Sequence, residues 1–301
     1  MTGPIRLFDK QLLDQRRRRA LQAGTAGADF LYRAAADDII ERLQAVTRRF
    51  ALAAEIGSPN HYLADCLAAH GVDKVVRLDR LPETLRQSRH PVVAGDAEAL
   101  PFAPASLNLA VSALHLQWLD DLPGALAQLR RALKPDGLLV ASLLGGDTLA
   151  ELRQAMTIAE TEVTGGASPR VAPFLELRDA GALLQRAGFA LPVIDTDRRT
   201  VRYDSALHLM RDLRAMGAAN ALLERDRRPL RRAVLMRAAA IYAERFADPD
   251  GRVRATFDIV SMSGWAPAEG QQKPLRPGSA TARLADALKT NERPAGEKAG
   301  R

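Results

Sequence analysis

The sequence predicts an α/β protein with a seven-stranded, mostly parallel sheet and helices on both faces. Two observations carry that expectation. From Phe50 to Leu144, short apolar runs alternate with helical patterns, the rhythm of βαβ units. The run Leu107–Leu114 is also nearly continuous in apolar residues, as a strand covered on both faces should be.

The elements follow in order. Between Asp29 and Arg49, Phe30, Leu31, Ala34, Ala35, Ile39 and Leu43 recur at three- and four-residue spacing and predict a helix. Phe50–Ile56 reads as the first strand and Leu63–Ala69 as a helix ending at Gly71. Lys74–Leu78 is the second strand, and Pro91–Ala94 the third, ending in Gly95-Asp96. Leu107–Leu114 is the fourth. Leu122, Leu126, Leu129 and Leu133 share one face of a helix, with Asp121 placed as its cap and Pro123 in its first turn. Pro135-Asp136-Gly137 predicts a tight turn into the strand Leu138–Leu144. Helical patterns follow at Leu149–Val163 and Leu175–Ala187, then a strand at Val193–Val201. Asp204 or Ser205 caps a helix closed by Gly217. Arg231–Phe246 is a further helix and Arg254–Gly264 the last strand.

The expected organisation is therefore an N-terminal helical segment (1–49), a main domain (50–265) with a helical insertion near 204–246, and a tail (266–301). The tail is rich in Pro, Gly, Gln and charge, so disorder is expected there.

Composition narrows the function classes. The 301 residues are 47% hydrophobic and 26% charged, enough for a full core. One cysteine, Cys66, excludes an internal disulfide framework and any multi-cysteine metal site. No apolar run approaches the ~20 residues of a membrane span. Residues 1–20 lack the apolar stretch of a secretory signal, and Asp9 and Asp14 sit badly in a transit peptide, so the chain reads as cytoplasmic.

The net charge of +7 is uneven: +4 over residues 1–49, −5 over 50–195, +5 over 196–265 and +3 beyond. Basic flanks around an acidic middle suit an acidic partner or the peripheral face of an anionic membrane. Nucleic acid is not expected. The run Arg16–Arg19 has no interleaved aromatics and reads as a solvated helix face.

In a parallel α/β sheet, ligands bind beyond the carboxyl ends of the strands. Here Glu55, Asp79 and Asp96 stand at three successive strand ends. An acid after the second strand can accept hydrogen bonds from both ribose hydroxyls of a nucleoside, and one after the third can take an adenine amino hydrogen. As a set they favour a nucleoside pocket.

Several motifs then fall in the order of a known family. They are Glu55-Ile-Gly57, Leu78-Asp79, Gly95-Asp96-Ala97-Glu98-Ala99-Leu100-Pro101-Phe102, Gln117-Trp118, Asp121-Leu122-Pro123 and Leu133-Lys-Pro-Asp-Gly137. The sequence resembles the class I S-adenosylmethionine-dependent methyltransferases, whose sheet is Rossmann-like. Gly145-Gly146-Asp147-Thr148-Leu149, Arg186-Ala-Gly-Phe189, Asp212-Leu-Arg-Ala-Met-Gly217, Phe8-Asp9-Lys10 and Gly278-Ser-Ala-Thr281 narrow the likeness. It is similar to the methyltransferase-fold family of complex I assembly factors classed as arginine hydroxylases.

The resemblance implies S-adenosylmethionine as cofactor. It assigns Glu55 and Gly57 to the cofactor loop, Asp79 to the ribose, and Asp96 with Ala97 to the adenine. Leu114, Gln117 and Trp118 become candidates for the substrate pocket. The implied partner is a protein substrate, a subunit of respiratory complex I, and the helical insertion would form a lid or partner surface.

The first loop departs from the family pattern. Pro59 stands where a second glycine belongs and His61 where a third does. Proline removes a backbone donor and histidine adds bulk. No pairing of the five histidines with an acid matches the two-His-one-carboxylate pattern of non-haem iron, so no metal site is expected. Three readings stay open: an enzyme acting on a protein of complex I, a methyltransferase of carrier-bound malonyl groups, and a non-catalytic assembly factor whose cofactor loop has decayed.

Overall fold

The computed structural model describes residues 6–24, 27–86 and 88–271. Residues up to Pro267 form one compact unit that includes the N-terminal helices; Ala268 begins a second. Residues 272–301, and with them most of the expected tail and the Gly278–Thr281 motif, lie outside the described residues. Ala266 still belongs to the sheet-bearing unit: it is 1% exposed, and its N–H donates to the Gly137 carbonyl at 2.8 Å.

The seven strands are β1 (Leu52–Ile56), β2 (Lys74–Asp79), β3 (Val92–Ala94), β4 (Leu107–Ala113), β5 (Leu133–Leu144), β6 (Ala190–Tyr203) and β7 (Val253–Trp265). Their order is β3-β2-β1-β4-β5-β7-β6. β1 to β5 run parallel, while β7 is antiparallel to both β5 and β6. Strand order reverses between β1 and β4, so the crevice at their carboxyl ends is the topological switch point where ligands of open α/β sheets bind.

Nine helices surround the sheet among the described residues: α1 (Lys10–Ala23), α2 (Phe30–Gln44), α3 (Tyr62–Ala69), α4 (Pro82–Leu85), α5 (Leu122–Ala132), α6 (Ala150–Thr164), α7 (Leu177–Arg186), α8 (Ala206–Ala215) and α9 (Arg232–Phe246). Alternation along the strands sorts the core. Ala53, Val75, Leu109 and Val111 face Ile39 and Leu43 of α2 and Leu63 and Leu67 of α3. Ala54, Leu78, Ala110 and Leu139 face Leu126 and Leu129 of α5 and Leu184 of α7. Both faces of the central strands are thus dry, which is why Leu107–Leu114 shows no polar alternation. The insertion, α8 and α9, packs with α6 over the far ends of the long β6–β7 ladder through Leu209, Ile241, Tyr242 and Phe257.

Two local expectations change, and two expected caps are observed. Pro135-Asp136-Gly137 is a bulge within β5 rather than a turn before it: the β4–β5 register jumps from Leu107↔Leu133 to Leu109↔Leu138, and Asp136 takes φ +64°. An extra loop of strand can be stored this way without ending the ladder. Asp121 and Ser205 are the caps of α5 and α8; Asp121 accepts from the Gly124 N–H at 2.8 Å.

Arg16–Arg19 is the second change. It lies on a helix, α1, where Arg19 is exposed but Arg16, Arg17 and Arg18 are partly buried. Arg17 and Arg18 pair with Asp79 and Glu83, and Arg16 donates to the Asn220 carbonyl. The acids at the carboxyl edge of β2 draw the basic helix onto the sheet.

The Asp121 cap gives a simple check. Asp121→Ala should cost about 1 kcal/mol in urea unfolding with an unchanged m value. A loss near zero would mean that the cap bond is not holding α5.

Candidate active site at the carboxyl edge

The N-terminal segment is tied down before α1 begins. The Leu7 and Phe8 N–H groups both donate to Asp120 Oδ1, at 2.8 and 3.0 Å. Phe8 packs edge-on against Trp118, with centroids 5.4 Å apart. Asp9 caps α1 by accepting from Leu12 N–H at 3.0 Å, and its own N–H donates to the Ala221 carbonyl. Lys10 pairs with Glu98. The Phe8-Asp9-Lys10 motif is thus the anchor that lays α1 across the carboxyl ends of β2 and β3.

There α1 meets the acids expected to hold a nucleoside. Asp79, 1% exposed at the end of β2, accepts from Arg17 Nη1 at 3.2 Å and Nη2 at 2.6 Å, and from Leu81 N–H at 2.7 Å. The same guanidinium reaches the Gly57 carbonyl at 3.4 Å. Asp96 accepts from Glu98 N–H at 3.0 Å and Arg80 Nη1 at 3.3 Å, while Arg80 Nη2 donates to Asp14 of α1 at 2.7 Å. Ala97 beside it is buried. Asp79, Asp96, Ala97 and Gly57 therefore share one edge, and α1 spans it with Arg17 and Asp14.

Glu55 stands apart from them. It is 1% exposed beneath the loop and accepts from Arg77 Nε at 2.6 Å and from the Tyr32 hydroxyl at 3.4 Å. Burial pushes its carboxyl up from the ordinary value, against the opposing pull of Arg77. Arg77, itself 2% exposed, also donates to the carbonyls of Asn60 at 2.6 Å, Thr84 at 3.2 Å and Ser58 at 3.4 Å. One buried cation thereby braces both halves of the Gly57–His61 loop from below. That support explains how the loop keeps its path with Pro59 and His61 in place of glycines.

Gly57 keeps the role that only glycine can fill. Its φ is +77°, and a Cβ there would lie 2.0 Å from the His115 ring. His115 follows β4 and faces the loop across the switch point. Burial, reinforced by Arg17, lowers its pKa to about 4, so the ring is neutral at physiological pH. Just before it, Leu114 adopts φ +52°, a left-handed conformation costly for a branched residue and concentrated at functional sites.

Leu114, Gln117 and Trp118 all line a cavity of ≈140 Å³ at this point, together with Arg17, Gly57 and Tyr32. A second chamber of ≈240 Å³ shares Trp118, Leu149, Phe174 and Leu213 with the first and reaches Arg170 and Arg214. Leu213 of α8 faces both, so the insertion walls the cavity. Sites for drug-sized ligands run to about 300–1,000 Å³; the first chamber, with Arg17 and His115 in its lining, is smaller. Among the described residues, no group of three or more His, Cys, Asp or Glu is arranged to hold a metal ion.

Comparison with known proteins places this geometry. Residues 54–141, from β1 into β5, match the methyltransferase domain family model. A mouse protein named arginine-hydroxylase NDUFAF5, mitochondrial, is 38% identical over 300 residues, covering 96% of this chain and 85% of its own. The human counterpart is 38% identical over 301 residues, covering 98% and 87%. A malonyl-[acyl-carrier protein] O-methyltransferase of Laribacter hongkongensis is 37% identical over 268 residues, covering 83% and 88%. The chain belongs to the class I S-adenosylmethionine-dependent methyltransferase family. The sheet order agrees with that membership, and among solved structures a methyltransferase candidate from Bacillus halodurans shares the fold, with TM-score 0.54, 15% identity, and coverage of 77% of this chain and 100% of that one.

Arg17, Arg77 and Tyr32 escaped the sequence reading. Arg77 had a signal: a charge inside the apolar run Lys74–Leu78 must be paired if buried. Arg17 had none beyond its run of arginines.

Two outcomes follow. Arg77→Met leaves Glu55 buried without its cation and frees the loop carbonyls, so it should destabilise by about 3–5 kcal/mol in chemical unfolding; a loss below 1 kcal/mol would show that the pair does not brace the loop. For His115, the unfolded ring near 6.5 binds a proton that the folded ring, near 4, refuses. Its contribution to stability is therefore complete above the unfolded pKa and falls as pH drops from about 6.5 to 4, by at most ~1.4 kcal/mol per unit. Melting of the wild type should fall relative to His115→Gln across that window. Parallel curves would contradict a depressed pKa.

Proposed function

We propose that this enzyme binds S-adenosylmethionine at the carboxyl edge between β1 and β4 and modifies an arginine of a protein, in the assembly of respiratory NADH–quinone oxidoreductase. The observation that carries the reading is the likeness at 38% identity, over nearly the whole chain, to proteins named arginine-hydroxylase NDUFAF5. The likeness takes in the N-terminal segment and the insertion, the parts that wall the cavity, as well as the common sheet.

The residues present fit the cofactor. Gly57 leaves a place of close approach, and a Cβ would fill it. Asp79 offers both carboxylate oxygens at the end of β2, as ribose hydroxyls require, and Asp96 with Ala97 borders the neighbouring edge. Arg17 now holds Asp79, so the guanidinium must yield that carboxylate for the ribose to be held there. When bound, the cofactor supplies a sulfonium-activated methyl group. The chain's part is alignment and exclusion of water: Trp118, Leu149 and Phe174 enclose the chamber, and Leu114 carries Gln117 and Trp118 to its wall.

A second reading, methyl transfer to a carrier-bound malonyl group, is favoured by the Laribacter relative. It would use Arg170 or Arg214 in the second chamber to meet a carboxylate.

Calorimetric titration with S-adenosylhomocysteine tests the cofactor reading. Binding on the order of micromolar is expected for the wild type, and loss of at least about tenfold for Asp79→Ala. A folded wild-type protein that binds nothing would sink the site and move the weight to a non-catalytic assembly factor.

A further inference from the structure

Gln117 sits on the 3-10 turn Leu116–Trp118 that follows β4, beside the switch point. Its Nε2 donates to the Leu114 carbonyl at 2.8 Å. That bond fixes the amide's orientation, because turning it over would set two oxygens against each other. The other end is unusual. Oε1 is sealed from solvent and has no hydrogen-bond partner among the described residues.

Five other buried side-chain atoms share that condition: Ser58 Oγ, Glu83 Oε2, Ser142 Oγ, Thr196 Oγ1 and Tyr203 Oη. Four are hydroxyls free to rotate, and the fifth belongs to a carboxylate whose other oxygen is paired with Arg18. None of the five lines the chamber at the switch point, whereas Gln117 does. A fixed acceptor on a residue of the cavity wall, unmade in the ligand-free protein, calls for a partner from outside the chain, which reaches it once the side chains covering it give way.

We propose that Gln117 is the specificity-determining residue of the acceptor site, its carbonyl oxygen receiving an N–H of a guanidinium group. This rests on the reading of the fold as an S-adenosylmethionine enzyme acting on arginine, and deepens it by naming the group that selects the acceptor. Oε1 has only lone pairs to offer, so it accepts a donor and opposes a carboxylate. The rest of the chamber agrees. The Trp118 and Tyr32 rings line it, and each favours a planar cation. The His115 ring adds no competing charge at neutral pH. Arg170, in the second chamber, is held by Glu160.

The test uses the full chain, with and without saturating S-adenosylhomocysteine, and follows the Trp118 indole N–H and Gln117 side-chain N–H signals by NMR. Three probes are titrated: N-acetyl-arginine methylamide, N-acetyl-norleucine methylamide and monomethyl malonate. The arginine probe should bind about tenfold tighter than the norleucine probe. Gln117→Met should erase that preference, and Gln117→Glu, nearly isosteric, should strengthen arginine binding several-fold. Melting curves establish that each variant is folded. Arginine preference unchanged in both variants, or tighter binding of monomethyl malonate than of the arginine probe, would overturn the proposal. Failure of S-adenosylhomocysteine to bind counts instead against the cofactor reading, so the two failures are told apart.

Discussion

The carboxyl edge of the sheet is governed by one ion pair, Arg17 on Asp79. Asp79 is 1% exposed, and a carboxylate so placed must be met by donors, since a bare buried charge costs several kcal/mol. Arg17 meets it through both nitrogens of the guanidinium. Much else follows. α1 must lie across β2 and β3 for Arg17 to reach; Phe8, Asp9 and Lys10 must anchor the helix from the other side; and Asp14 is brought to Arg80, which turns toward Asp96. A ligand offering hydroxyl donors to Asp79 would satisfy the same carboxylate, so the arginine and such a ligand are alternatives for one site.

A second buried pair does a different job. Glu55 and Arg77 lie beneath the loop, and Arg77 spends its remaining N–H groups on the carbonyls of Ser58, Asn60 and Thr84. A glycine-rich loop relies on conformational freedom to approach its ligand. Here a single glycine, Gly57, supplies the positive φ, and the residues after it are fixed from below by a charge. Pro59 and His61 fit a loop held in that way. The loop is thus reshaped around Arg77, and the acid at the end of β1 serves the bracing.

Much of the fold was legible from the chain. The hydrophobic pattern placed all seven strands, the first five through their βαβ rhythm, because apolar runs bounded by turns report burial directly, and Asp121 announced α5 through its cap chemistry. The carboxyl-edge acids were legible as positions, since strand ends follow from strand assignments. What they touch was not. Arg17 and Asp79 are 62 residues apart, and no local pattern distinguishes a latching arginine from its three neighbours in Arg16–Arg19. The β5 bulge was missed for a related reason: Pro-Asp-Gly carries turn chemistry, and only the pairing with β4 shows that the ladder continues past it. Gln117 was readable as a pocket residue, but its unmade bond exists only once Leu114 has taken the other end of the amide.

The most direct test of this account is a crystal structure of the protein with S-adenosylhomocysteine. The account predicts the Asp79 carboxylate on the ribose hydroxyls, Arg17 withdrawn from Asp79, and the Glu55–Arg77 pair unchanged beneath the loop. S-adenosylhomocysteine bound elsewhere, with Arg17 still on Asp79, would contradict it.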